Sequence, residues 1–237
     1  MFLVAGSNVL QANLLAKVAV EQLNAISASM IWQNMDVYSE GFVQSFKASF
    51  TELGGSVVVE QTYEGNGGTM FDSQLTAVKE ANPDVLLLAS FPKSVPRIMA
   101  QALDMGIESI FIGSDGWDDP LMSSTLEDNE PVDGYYCTNL DPDAVGFISA
   151  YTAKYGSVDG IAAAGYDAMK ILAIAIETVG STDDPAAIRD AIANITNYEG
   201  ATTIFRFDEN RNPIKSVGVR QILNGMPQDD IIEAAPE

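Results

Sequence analysis

The 237-residue chain carries 33 acidic against 12 basic side chains, a formal charge of −21 at pH 7, with 47% hydrophobic and 19% charged residues. That balance describes a folded globular chain of one or two domains rather than a disordered one, and its negative field excludes nucleic acid and anionic membrane surfaces as partners. There is no histidine and a single cysteine, Cys137, so Ser-His-Asp and Cys-His nucleophiles, His-ligated zinc, thiolate clusters and an internal disulfide all fall away.

The first twenty residues, MFLVAGSNVLQANLLAKVAV, lack the basic start and small-residue cleavage site of a secretory signal, and polar residues break their apolar run too often for a membrane span. Leu10, Leu14, Leu15 and Val18 recur at helical spacing and predict a helix over about 8–24. Four apolar runs then read as buried strands: SMIWQ (29–33), SVVVEQ (56–61), DVLLLAS (84–90) and SIFIGS (109–114). Between them lie helical patterns. Phe42, Phe46, Phe50 and Leu53 mark a helix over 40–53 that Gly54 and Gly55 end. A second starts at Thr69, with Asp72 as its capping-box-like partner, and stops before Asn82-Pro83. A third runs from Ser94 through Ile98, Ala102 and Leu103 to Gly106. The strand starts near 29, 56, 84 and 109 repeat at close to the ~30 residues of one βαβ unit, which predicts a parallel, doubly wound α/β sheet.

After residue 120 the rhythm changes. A strand-like GYYCTNL (134–140) leads into three consecutive helical patterns, 142–155, 160–179 and 184–193. In the first and third, Asp141-Pro142 and Asp184-Pro185 place an acid at the cap and proline at the first helical position. Asp167, Lys170 and Glu177 interrupt the apolar run 161–179, which therefore reads as a buried soluble helix. Two further strands, TTIFRFD (202–208) and SVGVRQIL (216–223), flank the turn ENRNP. Three apolar helices in succession need a sheet to cover, and the strands for it are not found within the sequence; they are expected to precede residue 1. Uncovered, helices 141–200 would present an apolar surface that promotes self-association.

The ordered series YSEGFVQSFKASFTELGGSVVVEQTY, FDSQLTAVKEANPDVLLLAS, QALDMGIESIFIGSDGW, AAGYDAMKILAIAIE and FRFDENRNP resembles the type I periplasmic solute-binding proteins, and within them the branched-chain amino-acid receptors of ABC transporters, the Leu/Ile/Val-binding-like branch. The resemblance runs from about Phe2 to Leu223. It implies two α/β lobes joined by three crossing strands, with ligand held between the lobes. Residues 1–140 would supply the ligand-binding second lobe with the first two crossings, 141–203 the helices of an incomplete first lobe, and 204–237 the third crossing and a C-terminal strand. The implied function is to bind a small amino acid, or a related zwitterion or amide, and deliver it to a membrane permease, with a ligand-sensing receptor as the alternative; with part of the first lobe lacking, the chain itself is expected to be impaired in binding. The implied location of the full-length protein is periplasmic or extracellular, free or lipid-anchored.

Ligands of open α/β sheets sit at the carboxyl ends of strands, and three such ends carry useful groups: Tyr38, Phe91 and Asp115. The resemblance makes Asp115 the acid that pairs with a ligand ammonium, by short charge-assisted hydrogen bonds, and Tyr38 and Phe91 the aromatics that flank the ligand. Phe91 stands where the family often has tyrosine, so that edge should be more apolar. Gly116, with Gly113, would allow ligand to approach the backbone, and Trp117 adds a contact. Each has a plainer reading: Asp115 capping a turn, Phe91 packing its loop, Tyr38 facing solvent, Trp117 at a rim or hinge, Tyr166 in core packing. Asp118 and Asp119 before Pro120 read as caps of a short helix. No nucleophile–base pair, phosphate loop or metal-ligand spacing is present, so no enzyme activity, metal or cofactor is expected.

Overall fold

All four apolar runs form strands, joined by the helices expected between them. A computed structural model describes residues 1–65, 70–119, 122, 132–202 and 204–234. The chain divides into a larger unit, Asn8–Thr138 with Val219–Ile232, and a smaller one, Met1–Ser7 with Asn139–Gly218 and the C-terminal end from Glu233.

In the larger unit the order is α1 (Asn8–Glu21), β1 (Ser27–Gln33), α2 (Val37–Glu52), β2 (Ser56–Tyr63), α3 (Asp72–Ala81), β3 (Val85–Ala89), α4 (Val95–Asp104), β4 (Ile110–Gly113) and β5 (Gly134–Thr138). After the smaller unit the chain returns as β9 (Val217–Leu223) and β10 (Met226–Ala234), a hairpin turned by Asn224 and Gly225, both at positive φ. The seven strands form one sheet, ordered β10-β9-β5-β4-β3-β1-β2, with β1 to β5 parallel. β3 is wholly buried because helices cover both faces. Leu86 and Leu88 join Leu75, Val78, Ile98 and Met99 of α3 and α4 on one face; Leu87, one residue out of phase, turns to the face where α1 and α2 pack.

Local chemistry sets the helix limits. Asp36 caps α2 by accepting from the Ser39 N–H at 2.8 Å, which starts the helix three residues earlier than the phenylalanine spacing suggests. Phe42, Phe46 and Phe50 are fully buried, each contributing about 1.5–3 kcal/mol, whereas Leu53 is the exposed C-cap. Phe71 occupies the N-cap of α3 without a side-chain cap; Thr69, the expected capping residue, lies outside the described residues. Asn82 ends α3 in the left-handed conformation.

In the smaller unit come α5 (Val145–Tyr155), α6 (Gly160–Val179) and α7 (Pro185–Ala193). A three-stranded antiparallel sheet follows: β6 (Thr196–Tyr198), β7 (Ile204–Phe207) and β8 (Pro213–Lys215). The Asp184-Pro185 cap forms as expected, Asp184 accepting from Ala187 N–H at 2.9 Å. The Asp141-Pro142 cap does not: Asp141 takes the Asp143 N–H at 2.8 Å in a local turn, and α5 begins at Val145. The expectation of a buried helix over 161–179 is met only along one stripe, Ala163, Asp167, Ile171 and Ala175, while Ile161, Tyr166, Met169, Leu172 and Ile174 are exposed. The small sheet and α6 bury Ile171, Ile204 and Phe207 together, and neither α5 nor α7 has a fully buried side chain. Among the described residues no helix is long and apolar enough to cross a membrane.

Candidate functional site

The strand order places a crevice. From β1 the chain passes to β2 on one side, then returns to β3 on the other, and ligand crevices of such sheets open where the order reverses, beyond the carboxyl ends of the strands. Around this point the larger unit brings three expected residues together. Tyr38 stands in the first turn of α2, Phe91 follows β3, and Asp115 opens a single 3-10 turn, Asp115–Trp117, directly after β4. The Tyr38 and Phe91 rings lie 5.5 Å apart between centroids, tilted by 32°, and Phe91 is 40% exposed.

Asp115 is held from two sides. The Tyr38 hydroxyl donates to Oδ1 at 2.5 Å, and the Gln11 side-chain amide donates to Oδ2 at 2.9 Å. The Gly116 N–H donates to the Tyr38 oxygen at 3.0 Å, which commits the tyrosine proton to the carboxylate. Burial, and after it the charge of Asp115, push the Tyr38 hydroxyl far above the usual tyrosine range, so it stays a neutral donor. Tyr38 is thus more than an aromatic wall: its hydroxyl orients the acid.

Gly116 and Trp117 take other parts than expected. Trp117 is 1% exposed, its indole N–H donating to the Leu88 carbonyl at 2.9 Å and its ring stacking toward Tyr136. It forms the packed floor beneath the turn rather than a surface that meets ligand. The two glycines serve internal packing: a Cβ on Gly113 would fall 2.0 Å from the Trp117 indole, and one on Gly116 2.8 Å from the Ser90 carbonyl. Backbone approaches backbone and ring here, which accounts for the small residues without a ligand. Asp118 is buried and accepts from the Thr138 hydroxyl at 2.5 Å; the short helix that it and Asp119 are expected to cap falls, with Pro120, largely outside the described residues. Cys137 is fully buried, its thiol pushed well above the ordinary range by burial and then by Asp115, which leaves it a protonated packing group.

Gln11 is the residue of this cluster that sequence reasoning missed. The buried stripe of α1 is Gln11, Leu14, Leu15 and Val18, not one that starts at Leu10. A glutamine in phase with that stripe is the signal, because a buried amide needs a partner.

In the smaller unit, Asp167 is a second buried acid, taking hydrogen bonds from the Tyr198 hydroxyl, the Ala201 and Thr202 N–H groups and the Thr202 hydroxyl at 2.7–3.0 Å. It pins the loop into β7. Tyr166, read as a packing residue, is 43% exposed and lies 4.8 Å from the Phe147 ring. Both line an open concavity of about 900 Å³ with Lys170, Ile174, Ile195 and Tyr198.

A parallel sheet that presents one oriented carboxylate and an aromatic pair at its switch point, in a chain of two α/β units, has the build of a solute-binding protein. The family described as periplasmic binding protein matches residues 1–226, and the chain belongs to that family. Its members bind solutes rather than catalyse reactions. Among curated proteins, the Leu/Ile/Val-binding protein homolog 3 of Brucella melitensis is 23% identical over 214 residues, covering 88% of this chain and 57% of its own length. Among solved structures, the leucine-binding protein LivK of Thermotoga maritima is 28% identical, with a TM-score of 0.86 over 98% of this chain and 67% of its own. The branched-chain amino acid transporter substrate-binding protein LivJ of Streptococcus pneumoniae, solved with isoleucine, is 24% identical, with a TM-score of 0.84 over 97% of this chain and 66% of its own. The chain thus spans little more than half of the curated relative and about two thirds of the solved ones.

Proposed function

We propose that the protein is the substrate-binding component of an ABC transporter and takes a small amino acid by its ammonium group at Asp115. The observation that carries the reading is the Asp115 carboxylate at the switch point, both oxygens oriented by neutral donors, beside the Tyr38 and Phe91 rings. A fixed acceptor of this kind forms charge-assisted bonds with an ammonium, and Phe91 offers an apolar edge to an aliphatic side chain. Gly116 contributes through the Tyr38 hydroxyl rather than by direct contact, and Trp117 by supporting the turn. Relatives that bind leucine or isoleucine support the ligand class.

In this reading the larger unit is the second lobe and the 141–203 helices belong to the first, and the ligand carboxylate is gripped by the roughly one third of a typical member that this chain does not span. The exposed face of α6 is where that part packs, and where copies of this chain associate when it is uncovered. The whole protein works in the periplasm or outside the cell, free or lipid-anchored, and hands its ligand to a permease. The transport reading stands ahead of a sensor because the named relatives are transport proteins.

The test is calorimetric titration of the whole protein, with the first lobe complete, with L-leucine, L-isoleucine and L-valine, and of its Asp115→Asn variant. Loss of one charge-assisted contact should weaken binding by about 10- to 100-fold. Equal affinity in the variant would remove Asp115 from the site.

A further inference from the structure

Gln11 is 1% exposed in the stripe of α1, where an apolar side chain would pack against the neighbours of Leu14, Leu15 and Val18. Burying an amide costs stability unless its hydrogen bonds are made, so its contacts show its use. Nε2 reaches across 104 residues of sequence to Asp115 Oδ2 at 2.9 Å. On the other oxygen the Tyr38 hydroxyl donates at 2.5 Å, and Tyr38 is itself fixed by the Gly116 N–H. The two donors therefore grip opposite oxygens of one carboxylate, and turning it about the Cβ–Cγ bond would stretch both hydrogen bonds at once. The Gln11 amide is the donor that holds Oδ2 in that arrangement.

We infer that Gln11 is a positioning residue: by holding Asp115 Oδ2 it fixes the plane of the carboxylate, so that a protonated amine meets it in one orientation. The inference rests on the reading of Asp115 as the amine-binding group. Two effects oppose each other when the amide is removed. The oxygen that loses the donor is a less occupied acceptor, which favours a cation; yet its carboxylate plane is less firmly held, so the amine must restore it. Burial of Gln11 decides for the second, since an apolar side chain filling its place gives Oδ2 no donor in return.

The experiment uses Gln11→Met, which keeps side-chain length and apolar packing while deleting the donor. The probes are L-leucine and 4-methylpentanoate, the same skeleton without the amine, titrated into the whole protein with its first lobe complete. The expected result is about ten-fold weaker L-leucine binding in Gln11→Met, with 4-methylpentanoate unchanged within about two-fold. In an Asp115→Asn background, Gln11→Met should add less than about two-fold, because residues acting as one unit are not additive. Equal weakening of both probes would assign Gln11 to packing and overturn the proposal, as would unchanged or tighter L-leucine binding. A wild-type chain that does not prefer L-leucine over 4-methylpentanoate overturns the amine reading and this inference with it. Should Gln11→Met fail to fold, NMR of the wild-type side-chain amide decides: its Nε2 protons should shift with L-leucine and not with 4-methylpentanoate, and no shift with either overturns the proposal.

Discussion

Replacing Gly113 by alanine should damage the larger unit far more than one methyl group suggests. Gly113 ends β4, paired with Leu88 on one side and Tyr136 on the other. A Cβ built there lies 2.0, 2.3 and 2.5 Å from three carbons of the Trp117 indole, where ordinary contact starts at 3.4 Å, so the ring must retreat by about 1.4 Å. Its escape is blocked: the indole is 1% exposed and tied to the Leu88 carbonyl at 2.9 Å. Overpacking of this kind costs about 1–3 kcal/mol, and breaking the indole bond strands a buried N–H at about 1–3 kcal/mol more. We expect a loss of about 3–5 kcal/mol, a large share of a typical domain's stability. Urea unfolding followed by Trp117 fluorescence in a Trp32→Phe background reads it directly. With a slope of roughly 2 kcal/mol per molar urea, the midpoint should fall by about 1.5–2.5 M. Gly165→Ala on α6 of the smaller unit, where a Cβ meets nothing, is the control and should leave the Trp117 midpoint unchanged. A midpoint shift below about 0.5 M in Gly113→Ala would refute the account of Trp117 as an immovable floor.

Two further outcomes are expected. Asp167→Asn, nominally conservative, should cost the smaller unit about 2–3 kcal/mol, because each carboxylate oxygen accepts one backbone N–H and one hydroxyl. The hydroxyls can reverse to accept from an amide, but either the Ala201 or the Thr202 N–H is left facing a donor; hydrogen exchange at these two amides would show it, and unchanged protection would count against it. Alkaline pH should destabilise the chain through Tyr38 and Tyr198, whose hydroxyls are held above the usual range, in each case by burial first and a neighbouring aspartate second. The folded chain keeps protons that the unfolded one loses above about pH 10, so their contribution is complete below that pH and falls as pH rises. Urea unfolding at pH 9 and 11 should drop less in Tyr38→Phe/Tyr198→Phe than in the wild type, and an equal drop would show that these hydroxyls do not carry the effect.

Periodicity and punctuation, local properties of the chain, were enough to find most of the larger unit. The strands at 29–33, 84–90 and 109–114 and the Phe42, Phe46, Phe50 stripe could be read because a parallel sheet buried on both faces demands near-continuous apolar runs, and its crossover helices demand a 3.6-residue repeat. Asp184-Pro185 succeeded and Asp141-Pro142 failed as caps for a reason outside their own residues. An aspartate bonds whichever N–H the surrounding backbone presents, and at Asp141 that is Asp143 in a turn.

By itself, then, the sequence determined the βαβ rhythm, the exclusion of histidine and thiolate chemistry, and the presence of Tyr38, Phe91 and Asp115 at three strand ends. Only the tertiary structure decided what those residues do to one another. Gln11 and Asp115 are 104 residues apart, yet they meet because the fold lays α1 beside the carboxyl end of β4. The same folding turns Trp117 inward and gives Gly113 its reason to be glycine. Spacing along a chain sets which face a side chain takes within its own element, whereas the partner across that face belongs to another element, and nothing local in the sequence names it.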